Sequence, residues 1–384
     1  MKEPMDDTEK LKVLVVDDTI LYRKIVSDAL AELPNIEIVG TANNGKTALS
    51  RILTLHPDLI TLDVEMPSMD GIEVLEEIAR QQIDVGVIML SSLTYEGGEL
   101  TVKALQLGAF DFIPKPELSS ISDNRQYIRD RLAAIIRSFT GRREIKRILS
   151  GKTVFRRATP GLPSAAAARP IITAETVAHR LQKADKQVRR AGGSKVVAIG
   201  ISTGGPRALG TLIPMLPADI NVPILVVQHM PPLFTQSLAK SLNAKSSLFV
   251  KEAEEGDELI PNTVFIAPGG RHMKLTSGAG RKIIAVTDDP PENSCRPSAD
   301  YLFRSVAEHF GEAATGVIMT GMGTDGNRGL ETMKQRNSFI IAQDEATCTV
   351  FGMPRWPIEA EIVDVVAPLD RVAQAIINSV RPSR

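Results

Sequence analysis

Lys195-Val-Val-Ala-Ile-Gly-Ile-Ser-Thr-Gly-Gly205 reads as an apolar strand that ends in a small-residue turn around Ser202. A turn of that kind is well suited to exposing a nucleophilic hydroxyl. Two later stretches have the same layout. Ile224-Leu-Val-Val-Gln-His-Met230 ends a strand on His229, and Gly316-Val-Ile-Met-Thr-Gly-Met-Gly-Thr-Asp-Gly326 leads into Asp325. In an open parallel α/β sheet the strand ends point into one crevice, so Ser202, His229 and Asp325 are expected to meet there. Serine, histidine and aspartate are the parts of a hydrolytic triad.

Around this turn, alternating strands and helices are expected from 194 to 384. The strands are Val196–Ile201, Ile224–Gln228, Val264–Ala267, Gly316–Thr320 and Phe339–Gln343, with a hairpin or mixed edge near Lys274–Thr287. Together they predict a doubly wound, mostly parallel α/β sheet. A second such unit is expected over residues 1–140. Its strands are Lys12–Val16, Glu37–Thr41, Leu59–Asp63, Val85–Ser91 and Phe110–Pro114, separated by amphipathic helical stretches such as Ile20–Ala31 and Gly45–Leu55. Between the two lies a basic stretch, 141–193. From Gly141 to Lys195 there are fourteen Lys or Arg against three Asp or Glu, so the stretch reads as a solvated linker or a docking surface for acidic groups. Its middle, Arg156 to Pro170, reads as flexible, and Thr173 to Arg190 as a basic helix.

At 384 residues, two domains are the better prior. A net charge of −1 gives no global argument for nucleic acid or an anionic membrane as a partner. The two cysteines, Cys295 and Cys348, have no ligand spacing around them, so neither a disulfide framework nor a zinc site is expected and a reducing compartment fits. The charged amino terminus lacks a signal-peptide core, and no run of eighteen apolar residues occurs, so a cytoplasmic location is expected.

In the first unit, Asp17 and Asp18 follow one strand, Asp63 ends another, Ser91 ends a third, and Lys115 follows the last. Carboxylates suit a hard cation such as Mg²⁺, and one can also act as a nucleophile toward phosphorus. The set Asp-Asp, Asp-x-x-Met-Pro-x-Met-Asp-Gly, Ser-Ser and Lys-Pro resembles the receiver domain of two-component response regulators over nearly all of 11–130. The resemblance implies a flavodoxin-like (βα)5 fold and a phosphoryl group passed to Asp63 from a sensor histidine kinase. It also implies Mg²⁺ on Asp17, Asp18 and Asp63, Ser91 and Lys115 as responding groups, and Phe112 as the aromatic switch position.

In the second unit, Gly200-Ile-Ser-Thr-Gly204 formally fits a Gly-x-Ser-x-Gly elbow, a short pattern that matches by chance often. A phosphate-binding loop is a rival, but the run lacks Gly-x-Gly-x-x-Gly spacing and a Walker lysine. The other histidines read differently: His309 sits mid-helix, and His272 is expected to line the cleft without carrying chemistry. Five segments together resemble the CheB family of chemotaxis response-regulator methylesterases. They are Gly200–Pro206, Gln228–Pro231, Ile266–Gly269, Thr320–Gly326, and Gln343–Ala346 with Val350–Pro354.

That resemblance implies Ser202 as nucleophile, His229 as base and acid, and Asp325 as the residue orienting the imidazole. It implies oxyanion donors near Met322, support of His229 by Thr203, and no cofactor for the esterase. The substrates would be glutamate γ-methyl esters on methylated chemoreceptors, with receptor glutamine deamidated by the same acyl chemistry. Ile201, Asn327, Arg271, Cys348 and the Arg355–Glu361 region depart from the family pattern. The alternatives are a second unit that serves as a binding or sequestration module in a non-motility pathway, and a DNA-binding regulator, for which no helix-turn-helix follows the linker.

Overall fold

The computed structural model describes residues 10–116, 118, 120–149, 193–278 and 280–381; the expected linker and basic helix over 150–192 lie outside them. In the first unit, strands β1 (Leu11–Val16), β2 (Ile36–Ala42), β3 (Leu59–Asp63), β4 (Gly86–Ser91) and β5 (Asp111–Pro114) alternate with helices. The helices are α1 (Ile20–Ala31), α2 (Gly45–Leu55), α3 (Gly71–Arg80), α4 (Tyr95–Leu107) and α5 (Ile121–Leu149). All strand pairs are parallel, in the order β2-β1-β3-β4-β5. The middle strand, Leu-Ile-Thr-Leu-Asp, is buried throughout, as a strand covered by helices on both faces must be. Two helix starts are written locally. The Asn44 side chain accepts from the Thr47 amide ahead of α2, and Asp70 with Glu73 forms a capping box on α3. The last helix continues to Leu149, past the boundary expected at 140.

The second unit is built from β6 (Val196–Ile201), α6 (Gly205–Leu212), β7 (Ile224–Gln228), α7 (Phe234–Asn243), β8 (Phe249–Glu252) and β9 (Thr263–Ile266). A hairpin of β10 (His272–Gly278) and β11 (Arg281–Thr287) follows, then α8 (Ala299–Phe310), β12 (Ala314–Ile318), α9 (Asn327–Gln335) and β13 (Phe339–Gln343). The chain closes with α10 (Arg355–Glu359), β14 (Val365–Ala367) and α11 (Leu369–Val380). Seven parallel strands run β14-β13-β12-β6-β7-β9-β8, and the hairpin is a separate antiparallel sheet rather than a mixed edge. The strand expected at Gly316–Thr320 ends at Ile318. Thr320 therefore stands in the turn, where its amide donates to Gln343 Oε1.

Both sheets reverse their winding next to their first strand. From β1 the chain builds β2 on one side and β3 on the other; from β6 it builds β7 on one side and β12 on the other. Crevices form at such switch points, at the carboxyl ends of the strands. The two units share a core: Val102 and Leu105 of α4 belong to one buried cluster with Leu209, Phe234 and Leu238. Hence α4 lies against α6 and α7.

Candidate functional site

Register brings the first set of residues together. Val16 pairs with Leu62, Asp63 with Leu90, and Ser91 with Pro114, so Asp17, Asp63, Ser91 and Lys115 leave the sheet at one edge. Lys115 Nζ is 2.7 Å from Asp63 Oδ2 and 2.8 Å from Asp17 Oδ2. Burial, with Asp17 nearby, pushes the Asp63 carboxyl up to about 7 even though Lys115 pulls it down. Carboxylate oxygens of Asp17, Asp18 and Asp63 lie within 4.8 Å of one another, a hard-oxygen set that fits Mg²⁺. Crowded like charges around a raised carboxyl are what a cation there would relieve. The Ser91 hydroxyl is turned into the fold: it donates to Gly97 O at 3.2 Å and accepts from Thr101 Oγ1 at 2.7 Å. Phe112 packs on Phe234 of the second unit, centroids 4.8 Å apart.

Register also sets the second group. Ile201 pairs with Gln228, which places Ser202 and His229 at adjacent strand ends, and Ser202 N donates to Thr320 O in the turn after β12. Gln228 Nε2 donates to Ser202 O, and Thr320 Oγ1 donates to Thr203 O, so the serine turn is braced from both flanking strands. Glycine is required beside it. Gly204 has φ +81°, and a Cβ there would meet Thr349 at 2.3 Å. At Gly205 a Cβ would meet the Gln228 side-chain oxygen.

His229 Nε2 lies 2.7 Å from Asp325 Oδ2. Asp325 is buried at the amino end of α8, where it also accepts from Ser298 Oγ (2.7 Å), Asn293 Nδ2 (3.0 Å) and the Ala299 amide (2.6 Å). The helix dipole favours an anion at that position. Burial raises the Asp325 carboxyl, but the bonds from His229, Ser298 and Ala299 outweigh it and hold the group at about 2. Burial likewise opposes charge on His229, yet its bonds to Asp325 and Cys295 raise its proton affinity. The other ring nitrogen, Nδ1, faces Cys295 Sγ at 3.7 Å. Ser202 is half-buried, and its hydroxyl makes no hydrogen bond among the described residues.

Against Ser202 lies the Gly321 backbone: a Cβ on Gly321 would stand 2.8 Å from Ser202 Cβ. The next amide, Met322 N, donates to no described group. Thr203 does not support His229 in this structure. Both ring nitrogens of the histidine have other neighbours, and Thr203 Oγ1 donates instead to Asp111 Oδ2 of the first unit at 2.7 Å. His272 is buried, stacks on Tyr301 and bonds Pro290 O; His309 bonds Leu275 O; neither reaches Asp325.

The residues absent from the expected site come from the segment before α8: Asn293, Cys295 and Ser298. Ser298 carried one usable signal, a serine directly preceding a helix, which is an N-cap position. Asp111 was also unforeseen, because an acidic residue opening a strand says nothing of a neighbouring domain.

Residues 197–376 match the CheB methylesterase family, and residues 13–126 match the response regulator receiver domain. A protein-glutamate methylesterase/protein-glutamine glutaminase of Desulfotalea psychrophila is 47% identical over 97% of this chain and 99% of its own length. One of Bacillus subtilis with the same name is 41% identical over 97% of this chain and 99% of its own. The Thermotoga maritima CheB methylesterase catalytic domain, a crystal structure, is 43% identical and covers 48% of this chain and 97% of its own, with a TM-score of 0.47. No helix among the described residues is long and apolar enough to cross a membrane.

Proposed function

Because the chain belongs to the CheB family of response-regulator protein-glutamate methylesterases, we propose that Ser202, His229 and Asp325 carry its hydrolysis and that Asp63 is its phosphoacceptor. The enzyme cleaves glutamate γ-methyl esters to glutamate and methanol. Like its relatives' second named activity, the same acyl chemistry would act on glutamine. The observation that carries the assignment is the His229–Asp325 bond of 2.7 Å beside a serine turn braced by Gln228 and Thr320. Reading the second unit as a binding module or a DNA-binding regulator gains nothing from this arrangement.

Asp325 accepts a hydrogen bond from the Nε2–H of His229, so the neutral imidazole presents Nδ1 as the base. The Ser202 hydroxyl gives its proton to Nδ1 while Oγ attacks the ester carbonyl carbon. Negative charge then grows on the carbonyl oxygen, where the unengaged Met322 amide would donate; one such donor contributes about 10²–10³ in rate. His229 returns the proton to the departing methoxide, which leaves as methanol. Water, deprotonated by the same nitrogen, releases glutamate and restores Ser202. Reaching Ser202 from Nδ1 requires the ring or the Cys295 side chain to move, since Nδ1 now faces that thiol.

In the first unit, Asp63 would accept a phosphoryl group from a sensor histidine kinase. Asp17, Asp18 and Asp63 would hold Mg²⁺, which when bound offsets charge on the phosphoryl oxygens. Lys115 already sits on Asp63 and would follow the added oxygens. The substrates would be methylated chemoreceptors. The test is methanol release from methylated receptor: Ser202→Ala is expected to lower it by about 10⁴–10⁶-fold while leaving phosphorylation of Asp63 intact. Unchanged release in that variant would overturn the assignment.

A further inference from the structure

The pairing of Cys295 with His229 points to a direct inhibitor. We propose that a soft divalent cation of the Zn²⁺ class binds between Cys295 Sγ and His229 Nδ1 and switches the esterase off. The inference rests on the reading of His229 as the general base.

The spacing is that of two ligands on one ion. Sulfur at ~2.3 Å and imidazole nitrogen at ~2.0–2.1 Å from a tetrahedral Zn²⁺ stand about 3.6 Å apart. Sγ and Nδ1 are 3.7 Å apart here, which matches that separation. The ring is also set the right way round. Asp325 accepts the hydrogen bond from Nε2–H, which leaves the Nδ1 lone pair of the neutral ring facing the thiol. A carboxylate on the far nitrogen is the usual outer partner of a metal-binding histidine, and it fixes both tautomer and orientation. Asp325 is itself held by Ser298, Asn293 and the Ala299 amide, so the acceptor facing Nε2 is fixed in place. Cys295, His229 and Asp325 form a set whose ligand atoms lie within 4.8 Å of one another. Cys295 and His229 are only partly buried, so an ion can reach them and complete its shell with water.

Thiolate and imidazole choose zinc over magnesium, so the Mg²⁺ that suits the carboxylates of the first unit does not compete. On binding, the Cys295 thiol and the protonated fraction of His229 Nδ1 release their protons to solvent, the metal–sulfur and metal–nitrogen bonds form, and hydration waters leave. No electrons are transferred, and a chelator reverses the step. The nitrogen occupied is the one that must take the proton from Ser202, so the bound form is inactive.

Co²⁺ is the probe, added to the full chain in excess Mg²⁺. The wild type is expected to show thiolate-to-cobalt charge-transfer absorption that saturates at one ion per chain. Cys295→Ser should lack the band, and Cys348→Ser should keep it, because Cys348 is buried elsewhere. Zinc should inhibit methanol release by the phosphodonor-treated wild type, and a chelator selective for zinc over magnesium should restore it. Normalised to each variant's zinc-free rate, Cys295→Ser should need at least the ~10-fold more zinc that loss of even an outer-shell partner costs a metal site. Absence of the cobalt band in the wild type, or equal zinc inhibition of wild type and Cys295→Ser, would overturn the proposal. A cobalt band that depends on Cys295, in a chain whose zinc-free methanol release survives Ser202→Ala, would keep the metal site and overturn the hydrolytic assignment instead.

Discussion

Asp325 accepts from Ser298, Asn293 and the Ala299 amide as well as bonding His229, so the helix it faces sets its position as firmly as the histidine does. Asn at this position keeps the shape but presents an amide to Nε2, and Asp325→Asn is expected to lower kcat by roughly 10⁴. The charges also make stability depend on pH. The depressed carboxyl of Asp325 contributes stability present above its unfolded value of ~3.9 and lost as pH falls toward about 2. The raised imidazole of His229 contributes stability present below ~6.5 and lost as pH climbs through its folded value. Asp63 has the opposite sign to Asp325. Its carboxyl is raised to about 7, so its contribution is full below ~3.9 and gone once pH passes that higher value. Asp63→Asn in Mg²⁺-free buffer should therefore raise Tm at pH 8 and change it little at pH 4. Thermal melts at the two pH values check this, and equal shifts at both would count against a strained, charged pocket.

At the scale of elements, α8 links fold and site. Ser298 caps it, accepting from the Tyr301 amide, and its hydroxyl also donates to Asp325. Ser298→Ala should cost about 1 kcal/mol of stability, read by denaturant unfolding, and should lower kcat more than it raises KM. Gly204→Ala should destabilise by ~1–3 kcal/mol, since φ is +81° and Thr349 fills the space. What was legible at this scale followed from strand ends. Asp17, Asp63, Lys115, Ser202 and His229 all sit where long apolar runs stop, and parallel register carries the first three to one edge of their sheet and the last two to one edge of the other. The misses have a physical reason. Strands β8 and β14 are short edge strands with little apolar run to mark them. Cys295 and Asn293 sit in an irregular segment that no periodicity places, and the cis peptide at Arg296–Pro297 lies within it. Thr203 was misassigned because its neighbour lies in the other unit.

The two units meet where the signal must pass. Asp111 bonds Thr203, the residue after the proposed nucleophile, and Phe112 packs on Phe234, while Lys240 Nζ bonds Glu99 and Ser241 bonds Gln106. We propose that this docked form is the restrained one and that phosphorylation of Asp63 shifts the population away from it. A bias of ~3 kcal/mol would change the ratio more than a hundredfold. Burial raises the Asp111 carboxyl to about 6 against the bonds from Thr203 and the Phe112 amide. The raised value contributes stability to the folded chain that is full below ~3.9 and lost as pH rises through about 6. Asp111→Asn keeps an acceptor for Thr203 without the buried charge, so it should lower unphosphorylated activity at pH 8. Asp111→Ala removes the acceptor and should raise it. Initial rates without phosphodonor distinguish the two, and identical effects would show that this contact does not restrain the enzyme.

The most direct test of the claim that Asp63 governs chemistry at Ser202 is methanol release from methylated receptor by the full chain in Mg²⁺. Wild type, Asp63→Ala and Ser202→Ala would be compared with and without a small phosphodonor. Stimulation is expected in the wild type, only the basal rate in Asp63→Ala, and no release above background in Ser202→Ala. Stimulation that persists in Asp63→Ala, or release that persists in Ser202→Ala, would contradict that claim.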